Sequence, residues 1–289
     1  HHRDGRELEF VLLRAQGDFG IYVKRFRHDS SDMLNCECFE NAEKIFDKYG
    51  DETAAILVEP LLQGSAGMKV YPPLYLKKLR ELCNQYNVHL IADEIATGYG
   101  RTGKMFAFEH AGVSPDIMCL SKGLTGGYMP MAVFVTTQKI YDAFYDDYNT
   151  GRAFMHSHTY SGNPLACAAA NAVLDLMADG SILKTAQENA IYFNEIIREK
   201  FLSHKNVGEV RNIGLINAIE LVKDKNTKEA FDGKLRTGYQ IYKKALQKGV
   251  ILRPLGDVIY FNPPLIIERK DMDYVTDVAL ECMQEVVHR

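Results

Sequence analysis

Two short apolar runs, residues 88–92 and Ile117–Leu120, constrain the fold of this chain more than any other feature. Each is bounded by polar residues and is too short for a buried helix, as expected for strands covered on both faces in a parallel sheet. Upstream, residues 41–49 read as a short amphipathic helix and Thr53–Val58 as a buried strand ending in Glu59-Pro60. Residues 73–86 carry Leu76, Leu79, Leu82, Cys83 and Tyr86 at helical spacing, with Lys and Arg on the other face. LLQGSAGMKVYPP, rich in Gly and Pro, reads as loop. Strand–helix–strand repetition is the mark of a parallel sheet with right-handed crossovers, so the expected fold class is α/β.

Beyond that core, residues 131–135 predict a strand and 137–145 a helix, followed by a polar loop over 146–161. Residues 163–177 predict an Ala-rich helix suited to close packing, and Ser181–Phe201 a long amphipathic helix that crosses to a second domain. A run at 207–222, a helix over 233–248, short strands at 250–252 and 258–262 and a last helix over 270–287 predict an α+β unit. The domain boundary is expected within 180–205. That leaves an unassigned segment 1–23, a large unit 24–200 and a small unit 201–289.

With 289 residues, 46% of them hydrophobic and 25% charged, the chain has the balance of a globular protein with one large domain and a smaller one. A net charge of −4 gives no reason to expect nucleic acid or an anionic membrane as partner. No apolar run reaches the length of a membrane span and none marks the start of the chain, which leaves the cytoplasm as the default location. The six cysteines form no CxxC pair and no zinc-like spacing. Cys36-Glu37-Cys38 has the residue types of a metal site but no partner cluster, so no metal is expected.

In open α/β sheets, ligands gather outside the carboxyl ends of the strands. There the first run is followed by Asp93-Glu94 and the second by Ser121-Lys122-Gly123. Taken singly, an Asp after a strand is a turn residue and a Lys is a solvated group. Taken together, they are the pair that pyridoxal phosphate chemistry requires. The amine forms a Schiff base, and the acid keeps the pyridine nitrogen protonated so that the ring accepts electrons. The segments IADEIATGYGRTGKMFAFEH, SPDIMCLSKGLTGGYMP and HTYSGNPLACAAANA resemble, in order and spacing, the signature segments of the class-III aminotransferases of the fold-type I pyridoxal phosphate family. The resemblance runs from residue 24 to the C-terminus. It implies a mostly parallel sheet flanked by helices, with a smaller C-terminal α+β domain.

The resemblance also implies roles for individual residues. Lys122 would be the Schiff-base lysine, moving a proton between the substrate α carbon and the cofactor, and Asp93 the partner of the pyridine nitrogen. Thr159 would donate to the cofactor phosphate across the interface of a homodimer with shared active sites. Arg253 would meet a substrate carboxylate, for which the planar guanidinium fork is suited. Ser157, within His156-Ser157-His158, would add polar lining on the substrate side, and Glu59 and Gln63 would line the cofactor face. Glu94 is expected to be structural, and Gly126-Gly127 to allow a tight backbone path. A family member should carry, ahead of residue 24, a Gly/Ser loop for the phosphate and an aromatic residue that stacks on the ring. HHRDGRELEFVLLRAQGDFG shows neither and lacks an initiating Met, as a tag remnant, a processed end or the edge of an upstream deletion would.

Ornithine- and GABA-type relatives place a glutamate where this chain has Ser65, in QGSAG, so a different pair of small-molecule substrates is implied. Within the family, the likeness of GLTGGYMPMA and HSHTYSGNPLACAAANA implies S-adenosylmethionine as amino donor and a long amino-oxo acid as acceptor. The alternatives are another ω-aminotransferase, acting on a diamine or ω-amino acid, or a truncated non-catalytic chain.

Overall fold

The computed structural model describes residues 7–14, 21–27 and 39–287, and Cys36-Glu37-Cys38 lies outside them. Among the described residues, twelve strands and seven helices are formed. They gather into two compact units. The first comprises His1–Leu61, Tyr71–Tyr99 and Phe106–Asp179, and the second Leu62–Val70, Gly100–Met105 and Gly180–Arg289.

The first unit is built on a six-stranded sheet. Its strands are β1 (Glu7–Arg14), β2 (Ile21–Arg27), β3 (Thr53–Val58), β6 (His89–Asp93), β7 (Ile117–Leu120) and β8 (Val133–Thr136). The spatial order is β2-β1-β3-β6-β7-β8. β3, β6 and β7 run parallel at the centre, while β1, β2 and β8 pair antiparallel at the margins. Residues 7–14, unassigned from sequence, therefore extend the large sheet, with Val11 opposite Leu57 on β3.

The helices that precede and follow β3 in the chain show how local sequence makes the layer. Helix α1 (Phe39–Tyr49) buries Ala42, Ile45 and Phe46. Helix α2 (Pro73–Gln85) starts on Pro73, whose missing N–H costs nothing in a first turn. It then buries Leu76, Leu79, Leu82 and Cys83 at the predicted spacing. After it, Asn87 takes φ 52°, a left-handed turn that Asn tolerates, and the chain reverses into β6. One polar knot sets the entry to the next strand. Asp116 Oδ2 accepts from Arg80 Nη1 at 2.6 Å and from the Leu90 amide at 2.7 Å, and the Asp116 amide donates to the Leu90 carbonyl at 2.8 Å.

Helix α3 (Gln138–Phe144) follows β8, and α4 (Pro164–Met177) begins on Asn163, whose Oδ1 accepts from the Leu165 and Ala166 amides at 2.9 and 3.3 Å. Among the described residues, no single helix is long and apolar enough to cross a membrane.

The second unit carries a four-stranded antiparallel sheet in the order β11-β12-β10-β9, formed by Arg253–Leu255, Val258–Phe261, Ile216–Leu221 and Val207–Ile213. Helices α5 (Ser181–Phe201), α6 (Thr237–Gln247) and α7 (Arg269–Val287) cover it. Phe193, Ile197 and Phe201 from α5 meet Ile219, Ile259 and Met283 in one core.

Three local expectations change here. The helix over 233–248 is a 3-10 turn, Gly233–Leu235, and then α6, parted by Arg236 at φ 49°. The strand placed at 250–252 forms at Arg253–Leu255, because pairing with β12 begins only at Arg253 opposite Tyr260. The loop after Pro60 contains two two-residue strands, β4 (Leu62–Gln63) and β5 (Lys69–Val70). Arg211 holds them in place by donating to the Gly67 and Met68 carbonyls at 2.8 and 3.1 Å.

Asp116 also sets a pH response. Burial opposes its ionisation, but the Arg80 guanidinium, the Leu90 amide and nearby His89 outweigh it and hold the carboxyl below its ordinary value. A depressed folded-state value stabilises the fold above the ordinary carboxylate range, and that stability is lost as pH falls through the depressed value. Asp116→Asn is expected to cost about 1–3 kcal/mol at neutral pH and to flatten the acid limb of the stability curve. Chemical denaturation at stepped pH checks this, and an acid limb identical to wild type would refute it.

Candidate active site

Parallel pairing places Asp93, the last residue of β6, opposite Cys119 of β7. The Glu94 amide continues the ladder to the Cys119 carbonyl at 3.0 Å. Asp93 is partly buried, and its Oδ1 accepts from the Ile95 amide at 3.0 Å, which turns the carboxylate at the strand end. Burial, and then the negative charge of Asp93, push the Cys119 thiol up, so it stays protonated beside the acid.

Lys122 opens the 3-10 turn Lys122–Thr125 that follows β7. Its backbone is left-handed, at φ 45°, while its side chain is exposed. The turn beneath it is fixed from several sides. The Ser121 hydroxyl donates to the Met131 carbonyl and the Thr125 hydroxyl to the Met129 carbonyl, both at 2.6 Å. Leu124 and Thr125 are buried. Gly126 and Gly127 take φ 59° and 84°, the tight path anticipated for them. A fixed base under an exposed amine suits a lysine that must reach one defined point.

Glu59 follows β3, whose Val58 pairs with Ala92, and its carbonyl accepts from the Tyr71 hydroxyl at 2.6 Å. The ends of three adjacent parallel strands thus carry Glu59, Asp93 and Lys122 along one edge of the sheet. Ser157 and Thr159 lie on an exposed segment of the same unit. Around Thr159, the His158 amide donates to Ser161 Oγ at 3.0 Å and the Ser161 amide to the His158 carbonyl at 2.8 Å, which shape a surface turn. Gln63 is buried in β4, and Arg253 is exposed at the start of β11, both in the second unit. The GYGRTG motif is itself divided. Tyr99 belongs to the first unit, whereas the Arg101 carbonyl accepts from the Leu215 amide at 3.2 Å in the second.

Glu94 is the residue whose importance the sequence understates. It is fully buried and, among the described residues, no cation figures in its surroundings. Instead Oε2 accepts from the Thr97 hydroxyl at 2.5 Å and Oε1 from the Phe108 amide at 2.9 Å, with the Ala107 amide also bonded. This carboxylate fastens Thr97, Ala107 and Phe108 to the end of the Asp93 strand. Burial raises its carboxyl above the ordinary value despite the opposing bonds from Thr97, Ala107 and Phe108. A Thr three residues after a strand-end Glu is the only local signal of this anchor. The Phe108 amide, which completes it, has none.

The family pattern described as aminotransferase class-III matches residues 20–283. An adenosylmethionine-8-amino-7-oxononanoate aminotransferase of Geobacter sulfurreducens is 43% identical over 272 residues, covering 94% of this chain and 60% of the relative. The protein of that name from Aquifex aeolicus is 44% identical over 285 residues, covering 99% of this chain and 62% of the relative. The chain therefore spans about 60% of the length of these curated relatives. Among solved structures, the adenosylmethionine-8-amino-7-oxononanoate aminotransferase of Methanocaldococcus jannaschii superposes with a TM-score of 0.83 at 38% identity, covering 86% of this chain and 58% of that one. An omega transaminase from Pseudomonas jessenii in complex with PMP gives 0.80 at 32% identity, covering 86% and 55%.

The buried carboxylate yields a signed prediction. A folded-state value raised above the ordinary one gives stability that is full at low pH and declines as pH rises through that window. Glu94→Gln keeps an acceptor for the two amides and removes the titration, so this decline should vanish. Glu94→Ala strands the buried amides and should cost about 1–3 kcal/mol. Denaturant melts of both variants across pH decide the matter. Equal losses from Gln and Ala would show that the hydrogen bonds are not what anchors the segment.

Proposed function

The chain belongs to the class-III aminotransferase family, and from that premise we propose that it is the catalytic part of a pyridoxal phosphate-dependent aminotransferase. The observation that carries the proposal is the placement of Asp93 and Lys122 at the carboxyl ends of adjacent parallel strands. The donor set fits the cofactor: a carboxylate turned by its own backbone contact, and an exposed amine on a rigid turn one strand away. When bound, pyridoxal phosphate supplies an electron sink for the bond-breaking step. Asp93 would hold the proton on the ring nitrogen. Lys122 would hold the cofactor through Nζ and then, with that nitrogen freed, carry a proton from the amino-bearing carbon of the substrate. Thr159 would donate to the phosphate, Glu59 would line the cofactor face, and Arg253 and Ser157 would receive the substrate.

The relatives' names support S-adenosylmethionine as amino donor and 8-amino-7-oxononanoate as acceptor; that transfer would give 7,8-diaminononanoate, a step of biotin biosynthesis. Ser65 agrees with this, since ornithine- and GABA-type chemistry expects a glutamate there. A homodimer is the proposed working form. Between residues 128 and 176 the first unit leaves Tyr128, Tyr148 and Met155 88%, 99% and 91% exposed, with Tyr145, Tyr160 and Leu165 also on the surface. These side chains offer apolar surface for a second copy to cover, and the Thr159 turn lies within the same stretch. A cytoplasmic location goes with this reading.

The test is an absorption spectrum of the full-length protein with pyridoxal phosphate, beside Lys122→Ala, with sedimentation on the same samples. The wild type should gain a visible band that Lys122→Ala lacks, lose it on adding S-adenosylmethionine, and sediment as two copies. Loss of the band only with diamines would assign the protein to the ω-aminotransferases. A folded full-length protein with no band would refute the cofactor reading, and a monomer would refute the shared site.

A further inference from the structure

Directly after Lys122 comes Gly123, and the space its missing side chain leaves is already filled. A Cβ there would lie 2.9, 3.0 and 3.1 Å from Cδ2, Cβ and Cγ of Tyr99, which are the nearest atoms to it. Tyr99 is 5% exposed and adopts φ 59°, a left-handed conformation uncommon for a bulky residue. Such a conformation persists only where the surroundings over-determine it. Here they do. The Tyr99 ring meets Phe106 edge-on, with centroids 5.9 Å apart. The Phe106 amide is held by Glu109 Oε1 at 2.7 Å, and the Phe108 amide by the buried Glu94 carboxylate. The ring is thus braced by a segment pinned to the end of the Asp93 strand, and its other side rests on the turn that carries Lys122.

We infer that Tyr99 is a positioning residue for Lys122. Its ring, seated on the Gly123 backbone, sets the direction in which the amine leaves the turn and couples that direction to the strand that bears Asp93. The inference deepens the proposed function and rests on its reading of Lys122. It differs from ordinary core packing in what it predicts. Removing the ring, or pushing it away with a methyl group at Gly123, should misplace the amine rather than merely loosen the unit.

The test uses the full-length protein with pyridoxal phosphate, borohydride reduction to trap the cofactor on lysine, and peptide mapping of the fraction trapped at Lys122, with a thermal melt on each sample. Tyr99→Phe keeps the ring and should trap as wild type does. Tyr99→Ala and Gly123→Ala should each slow trapping at Lys122 on the order of ten- to a hundredfold, the penalty for misplacing a reacting group by about an ångström. The double variant should fall no further than Tyr99→Ala alone, because the added methyl then meets no ring. Should Tyr99→Ala unfold the protein, Tyr99→Leu takes its place in both comparisons. Lower melting temperatures with unchanged trapping at Lys122, or an additive loss in the double variant, would overturn the inference while leaving Lys122 as the cofactor lysine. A wild type that traps the cofactor elsewhere would instead overturn the reading of Lys122, and the inference with it.

Discussion

The parallel pairing of β6 with β7 is the constraint on which the rest of the site depends. It matches Asp93 to Cys119 and so brings an acid and, one turn later, a lysine to the same edge of the sheet. Parallel neighbours need a long crossover connection, and the chain between these strands supplies it. Residues 94–99 and 106–116 of that connection stay with the first unit, while 100–105 pack with the second. The connection therefore does more than join two strands. It carries the anchor for one strand end and the ring that rests beside the other.

Two carboxylates perform the anchoring, one half-buried and one buried, and each is satisfied in a different way. Asp116 is paired with a cation, so its carboxyl is held down and its contribution fails in acid. Glu94 is met by the neutral donors Thr97, Ala107 and Phe108, and burial outweighs them, so its carboxyl is pushed up. A buried carboxylate without a cation is a poor way to gain stability. What Glu94 contributes is geometry: it holds Thr97, Ala107 and Phe108 at the strand end, beside the Tyr99 ring that lies on Gly123.

The sequence made the centre of this architecture legible and left its margins dark, for physical reasons. Thr53–Val58 and Ile117–Leu120 could be read because strands covered on both faces lose their alternation and become short apolar runs. Helix α2 could be read because its buried residues recur at a single period. Strand Glu7–Arg14 could not: it pairs with β2 just after it and with β3 some forty residues on, and propensity alone does not settle a strand that its neighbours decide. The two-residue strands β4 and β5 depend on Arg211, a donor from another element. Of the candidate site, Asp93 and Lys122 were visible as strand-end residues within specific motifs. The Tyr99–Gly123 contact was not visible, because it depends on a positive φ at Tyr99 that no residue type announces.

The central claim is that these two strand ends hold the two poles of one cofactor. The most direct measurement is a crystal structure of the full-length protein grown with pyridoxal phosphate. The account predicts continuous density from Lys122 Nζ to the cofactor and a ring nitrogen within hydrogen-bonding distance of the Asp93 carboxylate. Cofactor joined to another lysine, or a ring nitrogen facing some group other than Asp93, would contradict it.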